Sequence, residues 1–417
     1  MKTLFKTIAA IVIVMAGFCT GFAWRDISIG DAPSTEAFGR LLSGRLDVGT
    51  TPTQLFRDNY RLILTRFYRP IEPKKLKYAG MSGLFNSLGD PHTVFMEPQT
   101  AENFSIETKG NYAGIGAKLG PDPLGASVAT IFQNGPADKA GLKVGDIVTN
   151  VDGKDIAGID IDSIVDQVRG PEDTSVVLRV LRPDVKDPIE IHIQRATVIV
   201  PTASGKMLPN SGIGYIKVDQ FAETTFDQFD SALFDILRNK PKGIVIDMRE
   251  NPGGLLDTAS NMLSRFVDGK TVVTMKQKGG RQEVTTTLRG KTVDFDGPIV
   301  ILINKDTASA AEIFSGVMHD YKRATLVGEH SYGKASVQNV ILLKDLSNAK
   351  ITIARYFLPG GENISRVVDD DGTYVSGGLK PDVLVKPDPT VATEFGNPDK
   401  DAQLTAAMKL IQEKLGN

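Results

Sequence analysis

The sequence predicts an α/β protein: a helical lead-in, a small β-rich module, and a larger layer of parallel strands. Three observations predict it. From residue 212 onward, short apolar runs at 213–218, 243–247, 298–303 and 324–327 alternate with helical stretches at 225–238, 255–266 and 309–321. That alternation is the pattern of parallel strands joined by crossover helices. Ahead of it, runs rich in β-branched residues at 126–131, 147–151, 175–180 and 189–194 are spaced by turn signals such as Asp152-Gly153, with short helices at 137–142 and 160–168 between them. At the front, residues 37–46 and 55–68 carry apolar side chains at helical spacing, among them Leu55, Phe56, Tyr60, Leu62, Ile63, Leu64 and Phe67.

The remaining elements complete the chain in order. Residues 76–88 read as a helix stopped by Gly89-Asp90-Pro91, because the residue before a proline is pushed out of the helical region. Residues 350–357 and 382–385 read as late strands, and 401–415 as a closing helix. The division expected is 1–24 export segment, 25–105 helical region, 106–200 β-rich module and 201–417 α/β core. At about 150 residues per domain, 417 residues accommodate these parts.

Composition excludes several classes. With 41% apolar and 24% charged residues the chain is neither disordered nor a multi-span membrane protein. Its 48 Lys+Arg against 50 Asp+Glu give a net charge of −2, so no basic excess points to nucleic acid. One cysteine, Cys19, allows no intrachain disulfide, and His92, His192, His319 and His330 lack metal-ligand spacing, so no metal and no cofactor is expected. Asp369-Asp370-Asp371-Gly372 lacks the alternating ligands of a calcium loop and reads as a solvated turn.

The N-terminus carries Lys2 and Lys6 before an apolar run from Ile8 to Phe22, with Gly21 and Ala23 at −3 and −1 from a cut before Trp24. This is the layout of an export signal. An extracytoplasmic protein of the periplasm or cell envelope is expected, free after cleavage or tethered to the membrane if the segment is retained.

In the β-rich module, Gly135-Pro136-Ala137, Ala140-Gly141-Leu142, Gly145-Asp146-Ile147-Val148 and Val151-Asp152-Gly153 together resemble a PDZ domain. Tyr112, Ala113, Gly114, Ile115 and Gly116 resemble its glycine-rich loop. A carboxylate requires convergent N–H donors, which such a loop supplies, and the bound chain then adds as a strand along the edge.

Ser309 stands in 303–313 at a strand-to-helix junction, where a lone serine is usually only a helix cap. Together with Gly328-Glu329-His330-Ser331-Tyr332-Gly333-Lys334-Ala335-Ser336-Val337-Gln338, it resembles the catalytic segments of the carboxy-terminal processing, or tail-specific, proteases. The likeness extends to Leu88-Gly89-Asp90-Pro91-His92-Thr93, to 247–256 with Asn251-Pro252-Gly253-Gly254, and to Tyr356-Phe357-Leu358-Pro359-Gly360-Gly361 with Gly378-Leu379-Lys380-Pro381-Asp382. It implies a crotonase- or Clp-protease-like α/β core with an inserted PDZ domain, Ser309 as nucleophile, Lys334 as general base and Gln338 positioning the lysine. By the same likeness Gly253 or Gly254, with the N–H of Ala310, forms the oxyanion hole.

A lysine accepts a proton only when neutral, so its pKa must fall from about 10.4 in an apolar, water-poor pocket. Tyr332 and Val337 are near enough in sequence to line one. Gln338 carries no charge that would raise that pKa. Asp306 and Ala311 depart from the family's usual Gly and Ser, and a carboxylate at Asp306 close to Lys334 would hold the lysine protonated. His319-Asp320 or His330 offers a competing triad. Arg169, ending the module's last helix, is expected to relay peptide binding to the core. The implied substrates are proteins or peptides with a free C-terminus; a second copy, an adaptor or an activator completes the list of expected partners. The rival from another class is a silent PDZ scaffold for envelope proteins, which intact Ser309, Lys334 and Gln338 speak against.

Overall fold

The computed structural model describes residues 51–417, apart from Asp370, Pro389, Val391 and Asn417. The export segment, Cys19 and the helix expected at 37–46 lie outside these residues. The chain divides into two compact units at Leu88/Gly89, ahead of the boundary expected at 105. In the first, α1 (Pro52–Arg66) and α2 (Pro73–Asn86) form an antiparallel pair. A capping box starts α1, with Thr51 Oγ1 accepting from the Gln54 N–H and Gln54 Oε1 from the Thr51 N–H. Leu55, Phe56, Leu62 and Ile63 of α1 are exposed. No described helix is long and apolar enough to cross a membrane.

The second unit opens with β1 (Val94–Met96) and α3 (Pro98–Lys109), then β2 (Asn111–Gly114). The sequence reading missed α3: PQTAENFSIETK buries only Ala101 and has little apolar periodicity. The β-rich module follows: β3 (Ala117–Asp122), β4 (Gly125–Ile131), α4 (Pro136–Lys139), β5 (Ile147–Val151), β6 (Lys154–Asp155), α5 (Ile161–Val168), β7 (Ser175–Leu181) and β8 (Ile189–Gln194). Its sheet runs β3-β4-β5-β7-β8, closed over a core including Val128, Val148, Ile156, Ile164, Leu178 and Ile193. β9 (Ala196–Ile199) pairs antiparallel with β2, so entry and exit of the module lie side by side. Thr224 Oγ1 and the Val200 N–H both donate to the Gly110 carbonyl, fixing that junction to the core.

The core begins with β10 (Ala203–Met207), β11 (Ile213–Val218), α6 (Thr225–Arg238), β12 (Gly243–Asp247), α7 (Leu256–Leu263), β13 (Thr271–Gln277), β14 (Gln282–Thr286) and β15 (Ile299–Ile303). It continues through α8 (Ala310–Asp320), β16 (Ala324–Gly328), β17 (Ser336–Leu342), β18 (Asn348–Phe357), β19 (Val367–Val368), β20 (Tyr374–Ser376), β21 (Val383–Leu384) and α9 (Ala402–Lys414). One sheet runs β10-β11-β12-β15-β16-β21, parallel except for the edge pair β10/β11. β12 and β15 are buried at every position, as expected of strands covered on both faces. Helices α6, α7 and α8 cover one face around Phe221, Phe229, Phe266 and Phe314, while α9 lays Leu404, Ala407 and Ile411 on the other. The second sheet, β1-β18-β13-β14 with β17 also on β18, brings residues 336–340 to the cleft that the start of α8 also lines.

Candidate active site

A cavity of about 700 Å³ lies where the two core sheets and α3 meet; Ser309, Ala310, Lys334, Gln338, Gly253 and Gly254 all line it. Ser309 sits between β15 and α8 with φ 55° and ψ −117°. A non-glycine residue in that region is strained, and such strain persists where the surroundings over-determine it, most often at functional sites. Here the surroundings are visible. The Ser309 N–H donates to Glu312 Oε2 at 2.9 Å, and the Tyr356 hydroxyl donates to the Lys334 carbonyl at 2.8 Å and lies 3.5 Å from that of Ser309.

Glu312 joins the Ser309 and Lys334 segments. Besides Ser309, its carboxylate accepts from Ser331 Oγ at 2.5 Å, from the Gly333 N–H at 2.6 Å and from the Lys334 N–H at 2.9 Å. The side chain is fully buried, and burial pushes its pKa up against these four bonds. Sequence reasoning passed over this glutamate; the S-x-x-E spacing of a capping box was its signal, but not its reach to the second segment. Glu312→Gln keeps the shape but lacks acceptors for all four donors, at about 1–3 kcal/mol per stranded group. The expected result is a lower Tm together with weaker turnover, measured by thermal melt and kcat.

Lys334 is half-buried. Burial lowers its pKa, the positive charge of Lys350 lowers it further, and Glu312 and Asp90 oppose both. Asp306 is exposed and does not figure among these influences, so the charge anticipated from it falls on Asp90 and Glu312 instead. Lys334 and Ser309 line one cavity, with no hydrogen bond between their side chains among the described residues. Gln338 does not bond Lys334 either: its Nε2 donates to Ser336 Oγ at 2.9 Å and Thr352 Oγ1 at 3.2 Å. Val337 lines the cavity, whereas Tyr332 turns away beneath the Arg366 guanidinium.

The glycine turn divides its labour. The Gly253 N–H donates to Asn251 Oδ1 at 2.9 Å, so it is spent within the turn. Its own contribution is space: at φ 98°, a Cβ would meet Ala308 O at 2.7 Å and Ala310 N at 2.8 Å. The N–H groups of Gly254 and Ala310 bond no acceptor among the described residues. The turn is held from below by Arg249, which is fully buried and donates to Asp247, Asp401 and Gln403.

Neither competing histidine lines the cavity: His319 pairs with Asp382 at 3.1 Å, and His330 Nδ1 is buried with no hydrogen-bond partner among the described residues. Asp369 closes its acidic run into a turn by accepting from the Asp371 and Thr373 N–H groups. In the module, the Tyr112 ring lies over Gly114, and Ile115 is buried. The Ile115 and Gly116 carbonyls accept from Ala137 and Phe132. Arg169 stacks its guanidinium 5.5 Å from the Tyr112 ring centroid and donates to Asn103 Oδ1 on α3 at 2.9 Å.

Comparison with known proteins follows this geometry. Residues 212–385 match peptidase family S41 and residues 128–182 the PDZ domain. The carboxy-terminal-processing protease of Bartonella bacilliformis is 33% identical over 337 residues, covering 79% of this chain and 74% of that one. The chain belongs to the carboxy-terminal-processing protease family. Carboxy-terminal processing protease CtpB of Bacillus subtilis is another relative in this family, 31% identical over 78% of this chain and 66% of its own. Among solved structures, the photosystem II D1 C-terminal processing protease matches at 25% identity and TM-score 0.45, covering 80% and 93% of the two chains. The α/β class and the PDZ module expected from sequence are therefore both present in this member of the carboxy-terminal-processing proteases.

Proposed function

We propose that this protein is an exported serine endopeptidase that captures the C-terminal tail of a protein in its PDZ module and cleaves it by a Ser309-Lys334 dyad. The observation that carries the reading is one arrangement: a strained serine at a strand-to-helix turn shares a cavity with a half-buried lysine whose pKa is lowered. In the reaction, neutral Lys334 takes the proton of Ser309 Oγ as that oxygen attacks the scissile carbonyl carbon. The Gly254 and Ala310 N–H groups stabilise the oxyanion, with Gly253 supplying the close approach. Collapse breaks the C–N bond, Lys334 returns the proton to the leaving amine, and water then hydrolyses the acyl-enzyme. A lysine rotation brings Nζ to Oγ, since catalytic hydrogen bonds are often long before substrate binds.

Gln338 lines the same cleft as this lysine, held there by Ser336 and Thr352 rather than by direct contact with it. Tail capture at Tyr112–Gly116 raises the effective concentration of the cut site. Arg169 is placed to report it, because it touches the carboxylate loop through Tyr112 and the cleft wall through Asn103. The test is cleavage of an unfolded protein with a free or amidated C-terminus, beside Ser309→Ala and Arg169→Ala. Cutting that disappears in Ser309→Ala, weakens on amidation and loses that sensitivity in Arg169→Ala is expected; equal cutting by Ser309→Ala overturns the reading.

A further inference from the structure

The geometry points to Lys350 as a positioning residue that keeps Lys334 neutral: a second lysine in the same cleft, acting on the general base through its charge. This rests on the dyad reading above. Lys350 and Lys334 line one cavity. Lys350 lies on β18 opposite Val340, two residues before the Thr352 that bonds Gln338, so strand register sets it beside the dyad segment. Its ammonium lies 5.0 Å from the Phe104 ring centroid on α3, a cation–π seat, and it makes no salt bridge among the described residues.

A like charge in a low-dielectric pocket disfavours the protonated form of its neighbour, as in enzymes that activate one lysine with another. The groups facing Lys334 from each packed element are Lys350 on β18, Glu312 on α8, and Asp90 and His92 in the turn before β1. Burial lowers the pKa of Lys350 as well, and Glu107 on α3 opposes that by favouring its ammonium. Asp90 and Glu312 favour the ammonium; burial and Lys350 favour the amine. His92 is itself pushed down, chiefly by burial, so it adds no charge of its own at neutral pH. Lys350 is thus the cation that offsets the two carboxylates.

The test is the pH dependence of kcat/KM for wild type, Lys350→Met, Lys350→Arg and Ser309→Ala on one peptide substrate. The rate rises with pH as Lys334 loses its proton. Removing the Lys350 charge raises the Lys334 pKa and moves that rise to higher pH, by about one pH unit, or about tenfold in rate below it. The high-pH plateau stays within a few-fold of wild type, and Lys350→Arg returns the rise to its wild-type position. An unmoved rise in Lys350→Met, or a plateau lost in both variants, overturns the role of Lys350 and leaves the dyad standing if Ser309→Ala is inert. Cutting by Ser309→Ala overturns the dyad itself.

Discussion

Lys334→Ala is expected to fold normally and to lose about 10⁴-fold in peptide cleavage. Normal folding follows because its Nζ makes no hydrogen bond among the described residues, while the backbone N–H that anchors the segment to Glu312 is retained. The loss follows from the proposed dyad, in which the Lys334 amine takes the Ser309 proton. Lys334→Arg restores nothing, since a guanidinium stays protonated at every working pH. In wild type, activity is expected to grow as pH rises through the lowered Lys334 pKa, because the proposed dyad requires the neutral amine. Rate against pH, with a thermal melt of each variant, checks the prediction. Cutting that survives in Lys334→Ala but not in Ser309→Ala moves the base elsewhere, and His92, within electrostatic reach of Lys334, becomes the next residue to replace.

Arg249→Met is expected to destabilise the protein by about 3–5 kcal/mol, the cost of breaking a buried ion network from one side. All five guanidinium N–H groups are used: two bonds to Asp247, two to Asp401 and one to Gln403, at 2.5–2.9 Å. Tyr215 Oη adds a bond to Asp247 at 2.7 Å, and the Phe395 ring lies 4.2 Å from the guanidinium carbon. Removing the cation leaves two carboxylates facing each other out of water. Burial alone would raise the Asp247 pKa, but the bonds from Arg249 outweigh it and hold it low. Its stabilising share is therefore present above the unfolded value near 4 and is lost as pH falls through the lower folded one. Urea unfolding at pH 7 and at pH 3 reads both effects: the gap between wild type and Arg249→Met narrows at the acid end. A variant as stable as wild type at pH 7 contradicts the account.

The parts legible in sequence were those with a local signal. β12 and β15 are uniformly apolar because both faces are covered, and α6 carries a clear apolar stripe, so their limits were read within a residue or two. The polar α3 and the exposed β17 lacked such signals, and both line the cleft. Ser309, Lys334 and the glycine turn were singled out by family likeness, and the fold brings them to one cavity. What was not legible is set by contacts distant in the chain: Thr352 bonding back to Thr93, Lys350 seated on Phe104, and Asp401 reaching Arg249. The engagement of the Gly253 N–H by Asn251 is local, yet it depends on a rotamer that residue names do not specify.

The carboxylate of Glu312 makes the nucleophile turn and the lysine segment mechanically one piece. Backbone displacement of either would strand a buried anion, so any rearrangement of this cleft keeps a common frame. What that frame does not hold is the torsions of the Lys334 side chain and the wall contributed by α3. An inhibitor shaped only to the fixed frame would meet resting and working forms alike, whereas one that reaches α3 would distinguish them.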